Sequence, residues 1–63
     1  MSAQAGGEVY FEFTKVGGSV KVVAIDAATG VEVTVVGPAT AAPSQLQQLA
    51  LAKLKARIAR EGE

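Results

Sequence analysis

Six acidic side chains, six basic ones, four glutamines, one tyrosine and a few hydroxyls are the polar chemistry of this 63-residue chain, which has neither histidine nor cysteine. Nucleophilic triads and most acid–base relays are out of reach without those two residue types. So are ordinary zinc sites and disulfides. Carboxylate pairs are the remaining catalytic option. Glu8 and Glu12 share one face of a strand-like stretch but stand about 13 Å apart at roughly 3.3 Å per residue. Glu12 and Glu32 fall about 12 Å apart across two strand spacings. Carboxyls that cleave a glycosidic bond need a separation of about 5–9.5 Å. Neither pair qualifies, so no enzyme, no metal site and no cofactor is expected. The glycines of Lys15–Ser19 join two strands and open no helix, which makes them a turn and not a phosphate cradle.

The basic residues offer a second kind of chemistry. Lys53, Arg57 and Arg60 recur at i, i+4 and i+7, one stripe of a helix, with Lys55 beside them. Such a stripe can neutralise phosphates, so nucleic acid is the alternative ligand. More often it is simply a solvated helix face. A sheet that reads bases in the major groove needs Arg, Lys or Asn on its exposed side. Here that side would carry Lys21 alone, beside Glu12 and Glu32. Charge is also unevenly spread: residues 1–43 have a net charge of −2 and residues 44–63 one of +2. An acidic sheet and a basic helix attract one another, within a chain or between chains.

The elements that position these residues are legible from periodicity. Glu8–Thr14 alternates strictly, with Val9, Phe11 and Phe13 on one face. Ser19–Asp26 and Val31–Gly37 are two further β-branched runs. Gly17-Gly18 signals a two-residue hairpin, and Ala27–Gly30 a longer one, with Asp26 bonding local backbone and Gly30 in the left-handed region. These turns set Phe13 opposite Val22 and Phe11 opposite Ala24, then Val22 opposite Val35 and Ala24 opposite Val33. All six share one face with Val9, Val20 and Val31, a pattern that a one-residue slip would scatter.

A helix of about 18 residues follows, with Ser44 expected as its N-cap, Gln47 completing a capping box and Gly62 ending it. At 100° per residue, Ala50, Leu51, Leu54 and Ile58 form the stripe expected to cover Phe11, Phe13, Val22 and Val35. Two surfaces are then left over. The reverse face of the sheet carries Tyr10, Val23, Ile25 and Val36 among its polar residues, and the far side of the helix carries Leu49, Ala52, Ala56 and Ala59. Clustered apolar residues on an exposed face point to a partner, and small residues let helices approach closely. These eight are the candidate interface.

The expected fold is therefore α+β: a three-stranded antiparallel meander followed by one C-terminal helix packed on one sheet face (β-β-β-α). Residues 1–7 read as a disordered leader, 8–60 as the single domain and 61–63 as a frayed tail. The leader lacks a basic n-region and an apolar h-region, and no apolar run approaches the roughly 20 residues of a membrane span. A cytoplasmic protein with no membrane contact is the default. Below about 70–80 residues one core seldom supplies more than about 3–5 kcal/mol, so self-association is the natural supplement. The linker Pro38–Pro43 reaches roughly 20 Å, enough to lay the helix on its own sheet or on a neighbour's. Short stiff hinges favour swapping, which makes helix exchange an option. A self-associating structural or protein-interaction module, most simply a homodimer and otherwise one docking an unknown protein, is the function expected.

The segments "EVYFEF", "VGGSVKVVAID", "ATGVEVTVVGPA" and "LQQLALAKL" resemble a family of very small, uncharacterised alphaproteobacterial proteins grouped as a domain of unknown function. The resemblance runs from about Glu8 to about Arg60. It implies origin and architecture, and no functional residue follows from it.

Overall fold

Three strands and one helix account for the computed structural model, which describes residues 8–61. The expectations for residues 1–7 and for Gly62 lie outside the described residues. β1 (Val9–Val16) pairs antiparallel with β2 (Ser19–Asp26), and Val16 faces Ser19 across the turn. Gly17 has φ 59° and Gly18 stays out of the left-handed region. That is the sign pattern of a type II′ turn, which follows the natural twist of the strands. Only the first glycine of the pair is demanded by the backbone.

β2 pairs antiparallel with β3 (Glu32–Pro38). The loop between them is built around Asp26. Its carboxylate Oδ2 accepts the Thr29 N–H at 3.0 Å and the Thr29 hydroxyl at 2.6 Å, while Gly30 N–H returns to Asp26 O at 2.7 Å. Gly30 takes φ 77°, a conformation that costs glycine nothing. The Thr29 Oγ1 then accepts the Val31 N–H, so one threonine secures both sides of the loop.

The sheet order is β1-β2-β3, and its register is the expected one: Phe13 faces Val22, Phe11 faces Ala24, Val22 faces Val35 and Ala24 faces Val33. One side of the sheet therefore collects the apolar residues that the helix covers.

The helix α1 (Pro43–Glu61) folds back on this chain's own sheet, packing against β2 and β3. It begins one residue before the expected cap. Ala42 O accepts the first helical bonds, from Gln45 N–H and Leu46 N–H, so Ala42 is the capping position and Pro43 occupies the first helical turn. Ser44 lies inside the helix and does not cap it. Proline suits that position because its fixed φ matches the helix and its missing N–H would have had no partner. At the other end Glu61 is helical and accepts from Arg57 Nε at 2.8 Å, although the sequence pattern places it in the tail.

The linker is tied down rather than loose. Ala39 N–H donates to Gly18 O at 2.8 Å and Ala41 N–H to Pro38 O at 3.0 Å, and Ala41 packs against the core. Gly37 lets the helix approach β3 closely. A Cβ there would stand 2.5 Å from Leu46 Cδ2, so Leu46 rests directly on the glycine backbone.

The core consists of Val22, Ala24, Val33, Leu46, Ala50 and Leu54, with Leu54 and Val22 fully buried. Each large member is worth about 1.5–3 kcal/mol of apolar burial. Leu46 belongs to this core although the expected stripe omits it. Leu51 and Ile58, expected at its centre, are only half-buried.

Candidate interaction surfaces

The reverse face of the sheet is a grid that register alone defines. Its rows are Tyr10–Ile25–Glu32, Glu12–Val23–Thr34, Thr14–Lys21–Val36 and Val16–Ser19–Pro38. Tyr10 and Ile25 are direct cross-strand neighbours, and Val23 follows Ile25 along the central strand. Both β2 residues are half-buried by their flanks. Val36 lies at the opposite corner beside Lys21, separated from Tyr10 by Val23. The four residues thus form a diagonal crossed by Glu12, Thr34 and Lys21 rather than one unbroken patch. Val16, 63% exposed, belongs to this face as well. It was missed because the expected strand stops at Thr14.

Tyr10 donates its hydroxyl to Glu8 Oε1 at 3.0 Å. That bond, and the negative charge of Glu8, favour the neutral phenol and raise the Tyr10 pKa above its ordinary value.

On the helix, Leu49, Ala52, Ala56 and Ala59 are all exposed, and Ala59 also lines a groove shared with Val9 and Asp26 of the sheet. Of the basic residues, Lys53 reaches back to donate to Thr34 O on β3 at 2.9 Å, and Arg57 pairs with Glu61. Lys55 and Arg60 make no ion pair among the described residues. The stripe is therefore split: one member shields a sheet edge, one is neutralised by an acid on the next turn, and two extend into solvent. That division weakens it as a phosphate track.

The least expected surface lies on the helix side of β1. Because α1 sits over β2 and β3, β1 is left beside the helix rather than beneath it. Phe13 is 45% exposed, and Val9 and Phe11 are half-covered. Between β1 and the helix runs a groove of about 370 Å³ lined by Val9, Asp26, Leu51, Leu54, Lys55, Ile58 and Ala59. Asp26 is the one carboxylate in its lining, and the methylene stem of Lys55 adds to the apolar surface. Sequence reasoning assigned Phe11 and Phe13 to the covered core. The signal that could have corrected it is Leu46, whose place on the helix swings the buried stripe toward Lys53 and away from Leu51.

Among the described residues no three acidic side chains gather into a metal-binding group, and no helix is long and apolar enough to cross a membrane.

The fold and these surfaces define a minimal β-β-β-α domain with its helix set toward one edge. A family model described as "Domain of unknown function (DUF6898)" matches residues 6–61, and the chain belongs to that family. No significant match to a curated protein or to a solved structure was found.

Proposed function

We propose that this chain is a small self-associating structural or protein-interaction module without catalytic activity. One observation carries the reading: the helix covers two strands of three, leaving Phe13 45% exposed, Phe11 and Val9 half-covered, and Val9 sharing an open groove with Leu51 and Ile58. A chain of this length has little apolar surface to spare, and contiguous exposed apolar residues mark contact sites. The absence of histidine and cysteine supports a non-catalytic role. The reverse-face diagonal and the alanine stripe are weaker candidates, because charged and polar neighbours interrupt the first and small side chains dominate the second.

Light scattering after size exclusion, over a hundredfold dilution, tests the reading. A mass near twice 6.4 kDa at the concentrated end supports it. A folded monomer at every concentration contradicts it.

A further inference from the structure

Two features, the outer edge of β1 and one carboxylate oxygen of Asp26 at the end of β2, are left without a partner among the described residues. The first concerns the backbone of β1. Val16 and Ser19 flank a two-residue turn, and at the far end Ala27 N–H donates to Glu8 O. Even-numbered residues of β1 therefore direct their N–H and C=O groups to β2, and odd-numbered ones direct theirs to the open edge. Val9, Phe11, Phe13 and Lys15 present that free row on the same residues whose side chains face the helix side. Sheets normally blunt such an edge. This one does so at β3, where Lys53 bonds Thr34 O and the strand ends in Gly37-Pro38. β1 has eight residues, no proline and no such cover among the described residues.

The second feature is Asp26. It is 4% exposed and lies in the groove next to Val9. Both bonds from Thr29 go to Oδ2, and Oδ1 has no partner among the described residues. A buried carboxylate oxygen calls for a donor. Lys55 lines the same groove but makes no ion pair with it.

We propose that β1 pairs antiparallel with β1 of a second copy about a two-fold axis at Glu12, forming a continuous six-stranded sheet. This rests on the self-association proposed above and names its surface. In that register the exposed Phe13 of each copy faces the half-covered Phe11 of the other on the helix side, so the aromatics of the two copies cover one another. Val9 faces Lys15 of the second copy, and the row continues from Val9 to Asp26. Two strand spacings, roughly 9.6 Å, separate the backbones of that lysine and Asp26. A lysine stem lying along Val9 spans this distance and brings its ammonium to Oδ1. Any extended peptide satisfies the free backbone, but the sequence of β1 itself also supplies an aromatic for each aromatic and a cation for Asp26. The same register has one cost: Glu12 faces its own copy on the reverse side, and like charges directly opposite weaken a pair.

That cost makes the register testable. The chain contains no cysteine, so Glu12→Cys introduces a single thiol. Position 12 and its copy form a non-hydrogen-bonded pair with Cα atoms about 4.5 Å apart, within the span of a disulfide. Mild oxidation should convert this variant to a covalent dimer, under conditions that leave Thr34→Cys on β3 largely uncrosslinked. Glu12→Gln should tighten the dimer about two- to fivefold, and Lys15→Glu should weaken it about tenfold or more. A dimer that resists cross-linking through position 12 and ignores Glu12→Gln would overturn the β1 pairing while leaving self-association intact. If Tyr10→Ser or Val36→Ser then dissociates it, the interface is the reverse face. A monomer throughout would overturn both proposals.

Discussion

Replacing Gly37 by alanine tests how the helix is seated. The added methyl would meet Leu46 Cδ2 at 2.5 Å, and Leu46 Cδ1 and Cγ at 3.5 Å. Carbon atoms in ordinary contact lie about 3.5–4.0 Å apart, so the leucine must retreat by about 1 Å. It has little room to do so, being 5% exposed and packed in the cluster with Val22 and Leu54. Overpacking of this kind costs about 1–3 kcal/mol. Gly37 is not in the left-handed region, so alanine restricts the unfolded chain and returns about 0.4–1 kcal/mol. A net loss of about 1–2 kcal/mol follows. In so small a domain, each kcal/mol lowers Tm by about 4–8 °C, which gives a fall of roughly 5–15 °C. Thermal and urea unfolding followed by circular dichroism measure it directly. Gly18→Ala is the control, because its Cβ would meet nothing within 4 Å. If Gly37→Ala matches the control or raises Tm, Leu46 does not rest on Gly37 and the helix is seated elsewhere.

Leu54→Ala removes the largest fully buried side chain. It should cost about 2–5 kcal/mol, enough to leave much of the protein unfolded at 25 °C by circular dichroism; an unchanged Tm would remove Leu54 from the core. Asp26→Ala deletes both bonds to Thr29 and should cost about 1–3 kcal/mol in urea unfolding, with Thr29→Val milder because the backbone bond survives. The single tyrosine makes absorbance titration specific to Tyr10. Its pKa should lie above the ordinary value of 10.0, and Glu8→Gln should bring it back toward about 10, since both the accepting carboxylate and its charge are lost.

The sheet was readable because two independent constraints coincide. Turn lengths at Gly17-Gly18 and Ala27–Gly30 fix the pairing, and alternation fixes which side is apolar. Each would expose an error in the other. The helix lacked a second constraint. Its buried stripe runs through Leu46, Ala50 and Leu54, about 50° around the axis from the stripe centred among Ala50, Leu51, Leu54 and Ile58. That rotation is set by the close approach of Leu46 to Gly37 and by the bonds from Ala39 and Ala41, none of which periodicity contains. The same rotation brings Lys53 to Thr34 and moves Leu51 and Ile58 to the margin. It also uncovers Phe13, so the candidate surface on β1 could not be seen before the helix was placed. Ser44 is the expected cap because serine favours that role. Proline's preference for the first turn prevailed, and Ala42 was left in a position that its side chain does nothing to support. The burial of Asp26 has no signature in the sequence, because its turn-forming role requires no burial.

Residue-resolved amide hydrogen exchange, run on concentrated and highly dilute protein, tests self-association through the open side of β1 most directly. The outward-facing amides of Phe11, Phe13 and Lys15 should be protected in the concentrated sample and exchange freely on dilution, while those of Glu12 and Thr14, bonded to β2, stay protected in both. Fast exchange at Phe11 and Phe13 at every concentration would contradict the account.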